Sequence, residues 1–269
     1  MFANDPKLFF FKMNPIKVAL VQAPLVWENP AANRSYFQKK INEIVEPIEL
    51  IVLPEMFTTG FSMNPKPIAE TMNGETIRWL QTIAYEQNCA ITGSIVVEEN
   101  CKFFNRMLFV YPYGKIDFYD KKHLFSLAGE QHQYTPGSDR KIMEYRGFKI
   151  CVLICYDLRF PVFSRNTDDY DLLIFVANWP KPRINAWDAL LKARAIENMS
   201  YCIGVNRTGQ DANQNDYCGH TQALDFFGHY VLEPQTKDGV FMVELDKKTM
   251  LETRQKFGFL NDKDSFRLV

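Results

Sequence analysis

Two hydrophobic rhythms alternate along this chain. "KVALVQ" (17–22) is almost continuously apolar, the pattern of a strand covered on both faces. Residues 31–46 then place Phe37, Ile41, Ile44 and Val45 at spacings of three and four, which predicts a helix with those four turned inward. "LIVLP" (50–54) reads as a second strand, and "ETIRWLQTIAYEQ" (75–87) as a second helix burying Ile77, Leu80, Ile83 and Ala84. "CAITGSIVV" (89–97), "FFNRMLFVY" (103–111) and "KIDFYD" (115–120) follow as strands, the last two joined at "PYG" as a hairpin. "RKIMEY" and "FKICVLI" flank Arg146-Gly147 as another hairpin. "DLLIFVAN" (171–178) is a buried strand, "AWDALLKARAIEN" (186–198) a helix and "YCIGVNR" (201–207) a strand. "HTQALDFFGHYVLE" and "GVFMVEL" close the sheet.

The mixture of continuous apolar strands and hairpins predicts an α/β fold of mixed sheets with helices on their outer faces. No linker, composition shift or internal repeat divides it, so residues 16–269 are expected to form one domain, with residues 1–15 as an extension ahead of it. The apolar run Leu8–Phe11 in that extension is too short for a signal-peptide core or a membrane span.

Charge and cysteine usage narrow the function classes. With 31 Lys+Arg against 32 Asp+Glu and no long basic run, the chain offers no field for nucleic acid. No long apolar segment points to a membrane role. The six cysteines contain no Cys-x-x-Cys pair and the four histidines no metal-ligand spacing, so no metal is expected. Chain size and the lack of an export signal predict reduced thiols in a cytoplasm.

In α/β folds, ligands bind beyond the carboxyl ends of strands. That rule selects Glu55 after "LIVLP", Lys121 after "KIDFYD", Cys155 after "KICVLI" and Asn178 at the end of "LLIFVAN". Three of these are the residue types that amide hydrolysis through a thioester requires. A cysteine attacks a carbonyl as thiolate and needs a base or a cation beside it. Lys121 supplies a cation and a donor for the developing oxyanion. Glu55 can take the thiol proton, give it to the leaving amine and then activate water. A tight turn at Cys155 would aim the Tyr156 N–H at the same oxyanion. No cofactor is needed. Each residue alone also has a plainer reading: Glu55 as a solvated loop carboxylate, Lys121 as one of a lysine pair on a sheet edge, Asn178 as a turn, and Cys155 as core packing.

Taken together, "LIVLPEMFTTGF", "YDKKHLF" and "ICYDLRFP" resemble the nitrilase (carbon–nitrogen hydrolase) superfamily, over a span from about Lys17 to about Glu244. "CYDLRFPVFSRN" and "ANWPKPRINAWDALLKARAIENMSYCIGVNRTG" look most like its omega-amidases, which hydrolyse 2-oxoglutaramate and related monoamides of dicarboxylic acids. The resemblance implies a four-layer α-β-β-α sandwich, pairing into homodimers or higher homo-oligomers by stacking sandwich on sandwich. It implies a second glutamate near the lysine, which Glu130 in "LAGEQHQYTPG" fits, and it selects Lys121 over Lys122 because the family's lysine stands two residues before the histidine. It also implies a small-molecule amide as substrate.

The residues expected to face that substrate are Tyr156, Arg159, Asn178, Trp179 and Arg183, with Arg159 and Arg183 as cations for a free carboxylate. Thr208 and Tyr156 are the alternative if neither arginine serves. An ion pair with Asp157 or another carboxylate is the competing role for Arg159. Two departures from the family pattern are Val162, where a glutamate often follows Arg-Phe-Pro, and Ala212, where glycine is frequent. The rival functions are a nitrilase, an N-carbamoyl amino acid amidohydrolase, or a non-catalytic scaffold of this fold. An activated Cys155 is expected to carry a raised thiolate fraction and to alkylate faster than the other five cysteines.

Overall fold

Strand β1 (Ile16–Gln22) sorts its side chains into two layers, because successive strand residues point to opposite faces. Val18 and Leu20 join one apolar cluster with Leu50 and Val52 of β2 (Leu50–Val52), whereas Ala19, Val21 and Ile51 join another. The second cluster is completed by Phe37 and Ile41 of α1 (Pro30–Asn42) and by Ile77, Leu80 and Ile83 of α2 (Glu75–Glu86). The first continues into the other half of the chain, so one face of this sheet meets helices and the other meets a second sheet. These relations come from a computed structural model that describes residues 15–267; the extension expected over residues 1–15 lies, Pro15 apart, outside the described residues.

The first sheet runs in the order β14-β1-β2-β3-β4-β5, with β3 (Ala90–Glu99), β4 (Lys102–Val110) and β5 (Ile116–Asp120) following α2 in the chain. The second is ordered β13-β12-β9-β8-β7-β6. It is built from β6 (Ile142–Tyr145), β7 (Phe148–Ile154), β8 (Leu172–Val176), β9 (Tyr201–Val205), β12 (Thr221–Leu224) and β13 (Tyr230–Gln235). A short helix α3 (Pro161–Ser164), helix α4 (Ile184–Asn198) and a two-stranded hairpin of β10 (Thr208–Gln210) and β11 (Asp216–Cys218) are inserted between these strands. β14 (Gly239–Leu245) then crosses back to pair antiparallel with β1. In each sheet three neighbouring strands are parallel, β1-β2-β3 and β7-β8-β9, so both sheets present strand carboxyl ends. Helix α4 covers the second sheet through Trp187, Leu191 and Ala195. Gly204 of β9 makes room for it: a Cβ there would lie 2.4 Å from Leu191 Cδ1 and 2.6 Å from Trp187 Cζ2. The α-β-β-α sandwich expected from the sequence is therefore the observed fold.

Three local differences have physical causes. α1 ends at Asn42, three residues short of Val45, which is 92% exposed rather than inward. α5 (Lys247–Phe257) is not foreseen because it carries no apolar stripe: Met250 alone is buried, and the helix is started by the Asp246 carboxylate accepting from the Lys248 N–H at 2.9 Å. The stretch 220–233 is two strands, split by a turn in which Asp225 accepts from the Phe227 and His229 N–H groups.

Candidate active site

The two middle strands of the parallel triplets, β2 and β8, end facing each other across the sandwich. β2 leads through Leu53-Pro54 into Glu55, which is fully buried, and β8 leads into Asn178. The Asn178 N–H donates to Glu55 Oε2 at 2.8 Å, and Asn178 Nδ2 donates to the Glu55 carbonyl at 2.7 Å. Glu55 Oε1 accepts from Lys121 Nζ at 3.0 Å and from Asn105 Nδ2 at 2.8 Å. Lys121, the residue after β5, also donates to both oxygens of Glu130, at 3.1 and 2.9 Å, and lies 5.0 Å from the centre of the Phe61 ring. Glu130 sits in a 3-10 turn (Glu130–His132) and accepts the Phe125 N–H at 2.6 Å. Neither a solvated loop carboxylate nor a sheet-edge lysine describes these groups: Glu55, Lys121 and Glu130 are all buried and joined.

Cys155 comes from the second sheet. It is the first residue of a 3-10 turn (Cys155–Arg159) after β7 and has φ +44°, a left-handed conformation that costs a non-glycine residue energy and is held by its surroundings. Asp157 does the holding. Its buried carboxylate accepts the Ile154 N–H at 3.0 Å, the Tyr119 hydroxyl at 2.8 Å, the His123 N–H at 3.0 Å and His123 Nδ1 at 2.7 Å. The Tyr119 hydroxyl in turn accepts the Lys122 N–H at 3.0 Å, and the His123 ring stacks on Phe160 with centroids 3.6 Å apart. One carboxylate thus ties the cysteine turn to the backbone beside Lys121. Asp157 is committed to that task and is no ion-pair partner for Arg159; no carboxylate lies within salt-bridge distance of Arg159 among the described residues.

The electrostatics follow from two carboxylates and one ammonium in a dry site. Burial opposes the charge on Lys121, but Glu130 and Glu55 outweigh it and raise its pKa, keeping it cationic. Burial raises the Glu130 carboxyl; Lys121 opposes the rise and the Glu55 charge adds to it. Burial pushes the Cys155 thiol well above the ordinary range, Glu55 pushes it further, and Lys121 pulls only partly back. These directions run against the expected raised thiolate fraction, because the charge of Lys121 is shared between the Glu55 and Glu130 carboxylates rather than facing Cys155 alone.

Cys155 opens onto a cavity of about 640 Å³. Tyr156, Arg159, Asn178, Trp179 and Arg183, all expected to face substrate, line it. Thr208 does not; it lies on β10, its N–H bonded to the Ala23 carbonyl. Arg159 rests 5.0 Å from the centre of a Trp179 ring and Arg183 lies 5.3 Å from that of Phe125, two cations placed by aromatic faces. The other wall, which the sequence reading missed, is made by Trp27, Glu28, the loop around Phe61 and the loop 211–217. Asp211 shapes that last loop around Ala212, accepting from the Asn213 and Asn215 N–H groups and from the Tyr217 hydroxyl at 2.8–3.0 Å. Asn105 was also missed, although a lone asparagine inside the apolar strand "FFNRMLFVY" is a signal in itself, since a buried amide needs partners. Among the described residues no group of three His, Cys, Asp or Glu side chains is arranged to hold a metal ion, and no helix is long and apolar enough to cross a membrane.

The family model described as Carbon-nitrogen hydrolase matches residues 17–255. The chain belongs to the carbon-nitrogen hydrolase family. Among curated relatives, this hydrolase is 43% identical over 263 residues to "Omega-amidase YafV" of Yersinia enterocolitica, covering 96% of this chain and 100% of that one. It is 31% identical over 250 residues to "2-oxoglutaramate amidase" of Bacillus subtilis, covering 91% and 96%. Among solved structures, the CN-hydrolase superfamily protein XC1258 from Xanthomonas campestris, described with an arsenic adduct in its active site, superposes with a TM-score of 0.92 at 39% identity, covering 95% of this chain and 99% of that one.

Proposed function

We propose that this hydrolase is an omega-amidase, releasing ammonia from the terminal amide of dicarboxylic acid monoamides such as 2-oxoglutaramate. The observation that carries this reading is the Glu55–Lys121–Glu130 cluster beside Cys155, at a cavity lined by two arginines, Arg159 and Arg183, that have no salt-bridge partner among the described residues. The relatives named omega-amidase and 2-oxoglutaramate amidase, matched along nearly their whole length, supply the substrate class.

The reaction follows from the charges. Glu55 takes the Cys155 proton as sulfur attacks the amide carbon, because the thiol is held neutral until a base removes its proton. The carbonyl electrons move onto oxygen, where Lys121 Nζ and the Tyr156 N–H meet the oxyanion. The C–N bond then breaks, the nitrogen takes the proton from Glu55, and ammonia leaves a thioester on Cys155. Water, deprotonated by Glu55, attacks that thioester, and collapse of the second oxyanion restores the thiol and frees the dicarboxylate. Glu130 keeps Lys121 in place and charged throughout. The far carboxylate of the substrate meets Arg159 or Arg183, with Trp179 and Tyr156 framing the carbon chain between.

The test is ammonia release by the wild-type protein and Cys155→Ala, offered 2-oxoglutaramate, succinamate, glutamine, an N-carbamoyl amino acid and a simple nitrile. Turnover of the monoamides, lost by at least about a thousandfold in the variant, is expected. Activity confined to the carbamoyl compound or the nitrile would overturn the substrate class and keep the mechanism. Silence across the panel would leave a non-catalytic scaffold.

We propose in addition that copies of the chain assemble as a homodimer or higher homo-oligomer by stacking sandwich on sandwich. Light scattering that finds a monomer at micromolar concentration would refute it. The cytoplasm, a reducing compartment, is the location that suits six free thiols, Cys155 among them.

A further inference from the structure

The Asn178 side chain has one half spoken for and one half not. Its Nδ2 donates to the Glu55 carbonyl at 2.7 Å and lies 3.4 Å from Glu55 Oε2. Flipping the amide would aim its oxygen at two oxygens, so the assignment of nitrogen and oxygen is fixed by the neighbours. That leaves Oδ1 buried with no donor among the described residues, a position that costs free energy unless a partner is supplied. Asn105, the other amide on Glu55, also has an unpaired Oδ1, but Asn105 does not line the cavity and Asn178 does, beside Cys155.

A primary amide brings what this wall lacks. Its carbonyl oxygen needs donors, which Lys121 and the Tyr156 N–H supply, and its –NH₂ needs acceptors. Glu55 Oε2, fixed by the Asn178 N–H at 2.8 Å, is one acceptor. Resting on the amidase reading above, we propose that Asn178 Oδ1 is the second: it accepts an N–H of the scissile amide and keeps that bond as the nitrogen leaves. No extra atoms or electrons enter the reaction. The sulfur–carbon bond forms, the carbon–nitrogen bond breaks, the proton first taken by Glu55 passes to nitrogen, and one of the original N–H bonds points at Asn178 throughout. The lone pair that must receive the proton is thereby turned toward Glu55. Asn178 acts as the residue that distinguishes a nitrogen leaving group from an oxygen one, since an ester presents no hydrogen to Oδ1 and leaves it unpaired.

Succinamate and monomethyl succinate test this because both acylate Cys155 with the same succinyl group, so their kcat/KM values differ in the acylation step alone. Asn178→Ala is expected to lower the ratio of amide to ester kcat/KM by roughly tenfold to a hundredfold, the usual effect of removing one buried partner from a substrate hydrogen bond. Both activities fall, since the clamp on Glu55 is loosened as well. Asn105→Ala also loosens Glu55, by removing its 2.8 Å bond to Oε1, but Asn105 faces no leaving group, and its ratio is expected to stay at the wild-type value. Asn178→Ser keeps an acceptor oxygen and is expected to fall between; it also stands in if the alanine variant does not fold. An unchanged ratio in the Asn178 variants, with succinamate still hydrolysed by the wild type, would overturn the assignment alone. A wild-type protein that releases no ammonia from succinamate would overturn it together with the amidase reading.

Discussion

Cys151 and Cys155 stand four residues apart, one inside β7 and the other just past its end, and their fates differ. Both thiols are raised by burial, Cys151 to about 12. Cys151 packs among apolar side chains between the sheets, with distant charges acting on it and no base beside it. Cys155 has the left-handed turn, the cavity in front of it, and Glu55 and Lys121 behind it. A lowered thiol pKa is not what separates the two. On the proposed mechanism the difference is the adjacent carboxylate of Glu55, which takes the proton at the moment of attack, so a buried thiol can rest neutral until then.

Changes at Glu55 should show this most strongly. Glu55→Gln keeps the shape and removes the base; it is expected to cost on the order of a hundredfold or more in kcat, measured by ammonia release, and a loss of only a few-fold would put the base elsewhere. A smaller and opposite pair of effects is expected at Glu130. Its negative charge raises the Cys155 thiol, so Glu130→Gln lowers that pKa and increases the thiolate fraction. Iodoacetamide should then label Cys155 faster near neutral pH, while turnover falls because Lys121 keeps one acceptor on that side chain but loses the other, together with the paired charge. Labelling slowed in step with turnover would show that Lys121, not the carboxylates, governs the thiol. The smallest effect belongs to Cys151→Ala. It should cost about 1–2 kcal/mol in a denaturant melt and leave kcat within about twofold, as a core truncation does.

How much of this was legible beforehand depended on where each residue sits. Glu55, Lys121 and Cys155 each follow a strand whose apolar run is unmistakable, so a rule about strand ends finds them. Glu130 needed the family resemblance, since nothing in "LAGEQHQY" marks a buried carboxylate. Asp157 was visible only as a neighbour of Arg159; its bonds to Tyr119 and His123 join segments 34 to 38 residues apart, and no local pattern encodes that. The cavity's far wall is carried by loops at Trp27, Phe61 and Asp211, where hydrophobic periodicity says nothing. Val45 and α5 fail for the opposite reasons: an apolar residue beyond the helix end, and a helix with almost no apolar face.

The division of labour between the sheets has a consequence for how the chain comes alive. Glu55, Asn105 and Lys121 lie on or just after strands of the first sheet, Glu130 in the crossover from β5 to β6, and Cys155 and Asn178 just after strands of the second. On the proposed roles, neither sheet alone holds both the nucleophile and the base. During synthesis the first sheet lacks its outermost strand β14, which is made almost last and pairs with β1 along seven residues. On the proposed roles, the hydrolytic centre is therefore assembled only once the two sheets have closed on each other.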